Sequence, residues 1–252
     1  MLTIVPTPLG NLEDMPPRAR RALKESSAIY CEDTRRTRAL MSHFGLSTPL
    51  LRYNERDERC HHQILETLRS GKNLALVSDG GLPAISDPGW RIVALARQNG
   101  LPVTALPGGC AVTTALAGSG LPADSFVFLG FLPRSAGKQK KILAAAAALE
   151  RTIAIYESPY RVVKLLATAR EALGDSAQAC VVRELSKLHE EWVKGTLKKL
   201  KKRGIKLALV SNIPVKLAEF YKNLGFNFVS GTVFEIRNGI FTGKVLKINA
   251  DK

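Results

Sequence analysis

Five carboxylates in this sequence stand where a predicted strand gives way to a loop, a common position for side chains that do chemistry. They are Glu32, Asp33, Asp79, Asp87 and Glu157. A carboxylate in such a loop can accept a proton from a reacting group. It can equally cap the following helix or accept hydrogen bonds from nearby backbone N–H groups. For Asp79 and Asp87 the sequence leaves both interpretations open.

Four loops stand out, and each follows a predicted strand: residues 6–12, 31–35, 77–89 and 107–111. The second and third of them carry four of the five carboxylates. The glycines in three of them allow the backbone to approach a ligand closely. Their spacing matches neither the dinucleotide fingerprint GxGxxG nor the phosphate loop GxxxxGK[ST]. One such loop alone is usually a turn. Four in register indicate a binding edge.

Strand-like and helix-like segments alternate through the first part of the chain, and the strands read as continuous apolar runs. This pattern predicts a mainly parallel sheet covered on both faces. Ligands bind at the carboxyl ends of the strands in such sheets. The predicted strands are 2–6, 28–31, 73–78 and 103–106, and the predicted helices are 18–25, 34–44, 56–70, 90–99 and 111–119.

A second α/β unit is predicted to begin near Pro122, after a segment that contains Gly118 and Gly120. Its predicted strands are 126–131, 152–156 and 179–183, its predicted helices are 138–149 and 160–173, and residues 185–194 fit either a strand pair or a short helix. We therefore expect two lobes, 1–118 and 119–252, that face each other across a cleft.

The composition narrows the class of protein. With 45% hydrophobic and 23% charged residues, the chain of 252 residues is typical of a folded globular protein. It has neither an apolar run long enough to span a bilayer nor a basic, apolar leader, so we expect a cytoplasmic protein. The four cysteines have no paired spacing, and the cluster Cys60-His61-His62 has the wrong directions on a helix to bind one ion. No metal site is predicted.

The formal net charge of +15 is unevenly distributed. Residues 1–196 contribute +6 with mostly Arg, and residues 197–252 contribute +9 with mostly Lys. Only the charge of +6 belongs to the part of the chain that contains the four loops, and it is a mild excess of positive charge. The change from Arg to Lys indicates a different evolutionary origin for residues 197–252.

Residues 2–195 resemble the tetrapyrrole methylase family, and within it the bacterial methyltransferases that modify a cytidine ribose 2′-hydroxyl in small-subunit ribosomal RNA. The segments that carry the resemblance are, in chain order, PTPLGNLED, CEDTRRT, VSDGGLPAISDPG, the PG–A loop with TALAGSGLP, FLGFLPR, YESPYR and VRELSKLHEE. The resemblance implies two α/β lobes with S-adenosylmethionine bound in the cleft between them. It also implies a homodimer.

The same resemblance supplies candidate site residues. The residues expected at the cofactor are Leu9, Gly10, Asp79, Gly80, Gly81, Ile85, Cys110, Ala111 and Tyr156. Asp33 and Glu157 are the candidates for accepting the ribose proton, although alignment of donor and acceptor can contribute more than deprotonation. The sequence departs from the family pattern at Gly81-Leu82, Gly109-Cys110 and Tyr160, which leaves open any role of the replaced side chains.

An RNA acceptor requires cations for its phosphates. The cations expected at the cleft edges are Arg35, Arg36, Arg134, Lys138 and Arg161. Solvated helix ends are an equally good interpretation of these residues. Aromatic residues are scarce and not interleaved with the basic ones, so no stacking platform is predicted. A folded ribosomal particle fits better than free single-stranded RNA.

Residues 197–252 are atypical of that family and resemble the middle of a haloacid-dehalogenase-like phosphatase. The resemblance places Ser211 at a phosphate-binding position after a strand 206–210, but the DxDxT motif that supplies the nucleophile is missing. We expect no phosphatase activity, and a strand, a helix ending near Leu224-Gly225 and a hairpin that complete the second lobe. Two alternatives stay open: a tetrapyrrole-like acceptor, and a non-catalytic protein whose cleft is impaired by this segment.

Overall fold

The first lobe is built on a five-stranded parallel sheet with the strand order β3-β2-β4-β1-β5. The computed structural model describes residues 1–202, 208–214, 228–237 and 240–247. The strands are β1 (Leu2–Ile4), β2 (Ala28–Cys31), β3 (Leu50–Arg52), β4 (Leu74–Leu76) and β5 (Val103–Ala105), and the helices are α1 (Pro17–Glu25), α2 (Thr34–His43), α3 (Glu58–Arg69), α4 (Trp90–Gln98) and α5 (Ala111–Ser119). The predicted parallel α/β architecture is confirmed.

The sheet is buried on both faces, which explains the continuous apolar runs. Side chains alternate between the faces along a strand, so Leu74 and Leu76 pack with Ile92 in one core cluster. Ala75 and Val77 pack in a second cluster on the opposite face. Strand β3 was not predicted, because Leu51 and Arg52 are exposed and give the strand no apolar run.

The second lobe contains two strand pairs and two long helices. Strands β6 (Phe126–Phe131) and β7 (Thr152–Tyr156) are parallel, and β8 (Gln178–Arg183) and β9 (Glu191–Thr196) are antiparallel. The helices are α6 (Ala136–Ala147), α7 (Val162–Leu173) and the short α8 (Leu197–Lys202). Of the two interpretations of residues 185–194, the strand pair is therefore right. Tyr160, predicted to begin a helix, precedes α7.

A bulge interrupts the pairing of β6 with β7. Phe128 pairs with Ala154 and Phe131 pairs with Tyr156, so β6 uses one residue more than its partner over this interval. Gly130 adopts a left-handed conformation there, with φ of 59°, which glycine does without steric cost. The bulge places Phe131 on the same face of the strand as Phe128.

The C-terminal strands form a sheet of their own. Strands β10 (Ala208–Pro214), β11 (Phe228–Arg237) and β12 (Ile240–Lys247) pair in that order, and β11 and β12 make the predicted hairpin. Among the described strands, these three do not pair with β6–β9, so the expected completion of the second lobe's sheet is corrected. Ser211 lies inside β10 rather than after it. The helix predicted to end near 224–225 lies outside the described residues.

The two lobes meet through small residues and polar contacts. A Cβ on Gly118 of α5 would lie 2.4 Å from the indole ring of Trp192 on β9. The Ser186 hydroxyl donates to the Asp14 carboxylate. Within the second lobe, the ammonium group of Lys194 donates to the Gly120 carbonyl. In the described part of the chain, no helix has both the length and the apolar character needed to cross a membrane.

Replacement of Gly118 by Ala should loosen this contact. The new methyl group would overlap the rigid Trp192 ring, and overpacking of this kind typically costs about 1–3 kcal/mol, which outweighs the gain of about 1 kcal/mol for Ala over Gly in a helix. The midpoint of urea unfolding should therefore fall. The matched control is Gly137→Ala in α6, where a Cβ meets nothing within 4 Å. Equal midpoints for the two variants would contradict the close contact.

Candidate functional site

Three of the glycine-containing loops touch one another through their backbones at the carboxyl edge of the first sheet. Thr7 and Gly81 exchange two backbone hydrogen bonds of 2.9 and 3.0 Å. A Cβ on Gly109 would lie 3.2 Å from the Thr7 carbonyl oxygen. Gly81 also has a φ of 92°, which glycine adopts readily. The predicted gathering of these loops at one edge is confirmed.

Two adjoining cavities lie between these loops and the second lobe. The smaller has a volume of about 140 Å³ and the larger about 400 Å³. They share Ala111, Phe131 and Tyr156. We call the two together the cleft. Predicted cofactor residues that line the smaller cavity are Leu9, Gly80, Gly81, Ile85, Cys110, Ala111 and Tyr156.

Tyr156 joins the lobes at the centre of the cleft. Its hydroxyl accepts a hydrogen bond of 2.9 Å from the backbone N–H of Val112, in the first turn of α5. That N–H has no partner within its own helix. Burial raises the pKa of Tyr156, so the hydroxyl stays neutral. The hydrogen bond fixes the ring that both cavities share.

Gly10 and Asp79 lie outside the cleft, in a neighbouring cavity of about 290 Å³. Asp79 forms an ion pair of 3.2 Å with Arg36. Gly10 leaves room for the stem of Lys187, because a Cβ there would lie 2.2 Å from the Lys187 Cγ. A ligand in the cleft would contact Gly10 and Asp79, as predicted for the cofactor, only if it extended past the loops into this neighbouring cavity.

Asp33 caps α2 rather than bordering the cleft. Its carboxylate accepts hydrogen bonds from the backbone N–H and the guanidinium of Arg35, at 2.9 and 3.0 Å. These bonds lower the pKa of Asp33 to about 2. The carboxylate therefore stays ionised at every pH well above that value. The stabilisation from this contact is fully present above the ordinary pKa of 3.8 and is lost as the pH falls from there through about 2. Such a group has little tendency to take up a proton.

Glu157 borders the larger cavity, and its side chain is only 5% exposed. Its Oε1 accepts a hydrogen bond of 2.7 Å from the Ser158 N–H. Its Oε2 lies 3.1 Å from Arg161, whose guanidinium donates to the Leu132 carbonyl at 2.8 Å. No described group donates a hydrogen bond to Oε2. Among the described residues, this oxygen is therefore a buried hydrogen-bond acceptor that can still accept a bond.

Two further carboxylates near the cleft have raised pKa values. Burial is the main cause for both Glu32 and Asp87, and the negative charge of Asp79 adds to it in each case. Asp87 lines the smaller cavity. A raised pKa makes a carboxylate a better proton acceptor near neutral pH.

The predicted RNA-binding cations differ in whether they form ion pairs within the protein. Arg35, Arg36 and Arg161 are ion-paired with Asp33, Asp79 and Glu157 respectively. Arg134 and Lys138, which follow β6, are exposed and have no ion pair in the described part of the chain. Arg134 and Lys138 are therefore the pair available to a phosphate without breaking an internal contact.

Glu55 is a positioning residue that sequence reasoning did not find. Its carboxylate accepts the backbone N–H groups of Gly89 (2.6 Å) and Arg91 (3.2 Å) at the start of α4. It also accepts the Tyr53 hydroxyl at 2.8 Å. These bonds fix the end of the loop 77–89. No local signal links Glu55 to a helix that begins 35 residues later in the chain.

The loop held by Glu55 is strained. Ala84 and Ser86 have φ values of 70° and 60°, a region that non-glycine residues enter at a cost. Glu184 and Ser186, in the loop between β8 and β9, have φ values of 50° and 65°. Strain of this kind concentrates at functional sites. Four of the five non-glycine residues with positive φ in the described part of the chain lie in these two loops, and the fifth is Glu150, after α6.

Comparisons with known proteins agree with this architecture. Residues 1–201 match the family model of the Tetrapyrrole (Corrin/Porphyrin) Methylases. The chain therefore belongs to the tetrapyrrole methylase family, and it is an S-adenosylmethionine-dependent methyltransferase. Within that family it is similar to proteins called ribosomal RNA small subunit methyltransferase I. The relative from Bacillus subtilis (strain 168) is 47% identical over 198 residues, which are 78% of this chain and 68% of the relative. The one from Thermotoga maritima is 42% identical over 77% of this chain and 87% of its own length.

Solved structures show the same fold at low sequence identity. Diphthine synthase matches with a TM-score of 0.63 at 19% identity, covering 80% of this chain and 84% of its own. A cobalt precorrin-4 methyltransferase matches with 0.59 at 18% identity, over 80% and 87%. Uroporphyrin-III C-methyl transferase from Thermus thermophilus, complexed with S-adenyl homocysteine, matches with 0.55 at 20% identity, over 80% and 90%.

The cleft fits S-adenosylmethionine chemically. Cavities that bind small molecules are mainly apolar with a few placed polar groups, and here Leu9, Ile85 and Val182 supply apolar walls. At Gly81 and Gly109 a Cβ would meet Leu9 or the Thr7 carbonyl, so the missing side chains let the loops pack against one another at the wall of the cleft. Asp87 supplies a negative charge at the wall, which complements a sulfonium cation.

Replacement of Glu55 by Gln should release the loop 77–89. The amide puts an NH₂ group where a carboxylate oxygen now accepts an N–H at the start of α4, and the loss of such a charge-assisted bond costs about 1–3 kcal/mol. Urea unfolding should show this loss, and titration calorimetry should show weaker S-adenosylmethionine binding. Glu58→Gln, an exposed acidic residue in the first turn of α3, is the control and should change neither quantity measurably. Unchanged cofactor binding in Glu55→Gln would contradict the positioning role.

Proposed function

We propose that the protein transfers a methyl group from S-adenosylmethionine to the ribose 2′-hydroxyl of a cytidine in small-subunit ribosomal RNA. The observation that carries the proposal is the relatives' 40–47% identity over 190–211 residues. The family match over residues 1–201 contains the loops that line the cleft. The name those relatives carry, ribosomal RNA small subunit methyltransferase I, supports the RNA acceptor. A bacterial ribosomal substrate also supports a cytoplasmic location.

The reaction is a methyl transfer to the ribose oxygen, so the residues of the cleft would have to hold the methyl donor and the acceptor side by side. S-adenosylmethionine supplies an electrophilic methyl group when it is bound. The protein's contribution is alignment of the two partners and exclusion of water, which can account for much of the rate. The glycine loops and the Tyr156–Val112 hydrogen bond form a rigid wall for this purpose.

The proton of the ribose hydroxyl must leave toward a nearby acceptor or toward water. Of the two predicted acceptors, Glu157 borders the cleft and has a carboxylate oxygen without a hydrogen bond from the described residues. Asp33 is occupied as a helix cap. Asp87, in the wall of the smaller cavity, is a third carboxylate that borders the cleft. We propose Glu157 ahead of Asp33.

Two isosteric substitutions separate these roles. Asp33→Asn keeps a good helix cap and removes the carboxylate, so kcat should stay within about threefold of the wild type if Asp33 only caps. Glu157→Gln should lower kcat by about 10²-fold if Glu157 accepts the proton. Unfolding midpoints and cofactor affinity of both variants serve as controls, because Glu157 also faces Arg161. A larger loss in Asp33→Asn than in Glu157→Gln would reverse the assignment.

The function itself is tested by methyl transfer to isolated small ribosomal subunits. With S-adenosylmethionine labelled in the methyl group, label should appear in the RNA as a cytidine whose 3′ linkage resists alkaline hydrolysis. Parallel reactions contain uroporphyrinogen-type acceptors, as a tetrapyrrole alternative, and titration calorimetry measures cofactor binding separately. Label in a tetrapyrrole, in an RNA base, or nowhere would contradict the proposal. No cofactor binding would favour the non-catalytic alternative.

We further propose that the protein acts as a homodimer. Large apolar side chains are exposed in the second lobe, including Leu188 at 92% and Tyr160 at 66%, and exposed apolar surface favours contact with another protein. Light scattering after size exclusion should give about twice the chain mass of 27.4 kDa. A mass equal to one chain would contradict the dimer.

The division at residues 118 and 119, and the separate origin of residues 197–252, complete the proposal. The family match ends at residue 201, close to the point where Lys replaces Arg as the main basic residue. The independent sheet of β10–β12 also supports a separate segment.

A further inference from the structure

Phe131 is a large apolar side chain that stays 61% exposed at the edge of the cleft. Its ring lines both cavities of the cleft. Trp90 and Tyr160 are exposed to a similar degree, at 58% and 66%, but neither lines either cavity. An aromatic ring that lines the cleft and is open to solvent offers a surface that an acceptor entering from solvent can contact.

The bulge in β6 is the reason that Phe131 points into this position. In an uninterrupted strand, residues three apart point to opposite faces, so Phe131 would face away from Phe128. The extra residue in β6 restores the pairing of Phe131 with Tyr156 and brings both phenylalanines to one face. Bulges next to functional sites redirect side chains in this way. The left-handed Gly130 that makes the bulge also packs against the loop 77–89, at Ser86.

The ring is held by its neighbours. The centroid of Phe131 lies 5.6 Å from that of Tyr156, and Tyr156 lies 4.8 Å from Phe128. The Val112 N–H fixes the hydroxyl of Tyr156 in turn. The row of three rings is therefore anchored in the cleft at one end and open to solvent at Phe131.

Free cations follow the exposed ring in the chain. Arg134 and Lys138 are exposed, and neither has an ion pair in the described residues. Unpaired nucleotides are commonly recognised by stacking a base on an aromatic ring while nearby cations bind the backbone phosphates. The arrangement at the end of β6 and the start of α6 supplies both components.

We propose that Phe131 is the residue on which the nucleobase of the acceptor nucleotide stacks when its ribose enters the cleft. This inference rests on the proposed function and adds how the acceptor is positioned. A flat pyrimidine on the exposed face of Phe131 would place its own ribose toward the shared wall of Ala111 and Tyr156. Arg134 and Lys138 would then neutralise the flanking phosphates.

The test compares three substitutions in the full-length protein with small ribosomal subunits as acceptor. Phe131→Leu keeps apolar bulk and removes the π-face, so kcat should fall about tenfold or more. The KM for subunits should change little, because phosphate contacts elsewhere still bind the particle. Phe131→Tyr keeps the face and should retain nearly full activity. Phe126→Leu is the control, since Phe126 is a partly exposed residue at the other end of the same strand.

Wild-type activity on subunits is measured first, so failure of the proposed function appears in the wild type alone. Given an active wild type, several results would overturn the stacking role: full activity in Phe131→Leu, an equal loss in Phe126→Leu, or failure of Phe131→Tyr to retain activity. A parallel loss of S-adenosylmethionine affinity would make Phe131 a cofactor residue instead. A change of mass in light scattering would make it a subunit contact.

Discussion

The close backbone approach of three loops at the carboxyl edge of the first sheet is the constraint on which the rest of the cleft depends. Thr7 and Gly81 are hydrogen-bonded to each other as if they were strand neighbours, and Gly109 packs against the same Thr7 carbonyl. The backbones can approach this closely because two of these three residues, Gly81 and Gly109, carry no side chain. The contact makes one wall of the cleft largely from backbone, and it fixes where Leu9, Ile85 and Ala111 can stand. The opposite wall has to come from the second lobe.

Tyr156 connects these two walls through a single hydroxyl. It sits on a strand of the second lobe and completes the hydrogen bonding of a helix in the first. A tyrosine suits this position because its ring is apolar enough for a cavity wall and its hydroxyl satisfies a polar group at the far end. The geometry of the cleft is thus set by groups that also stabilise the fold.

The sequence predicted the parts of the molecule that are repetitive or local. The strands around Leu74 and Ile29 are buried on both faces, which leaves a continuous apolar run that is easily recognised. The turn residues at 79–81 and 107–109 mark the strand ends. What the sequence could not reveal are distances between remote segments: the bond from Glu55 to Gly89, or the extra residue in β6 that turns Phe131 toward the cleft. Arg161, expected at RNA, turns inward to Glu157 and Leu132.

The contacts described between the lobes have a consequence for the history of the chain. The second-lobe residues that make them include Tyr156, Ser186, Lys187 and Trp192. All four precede residue 197, where the composition changes. A recombination breakpoint near that residue spares every one of these contacts. Exchange of the C-terminal segment would therefore be under weak purifying selection with respect to the cleft, and a tail of unrelated ancestry could be inherited without first disabling the enzyme.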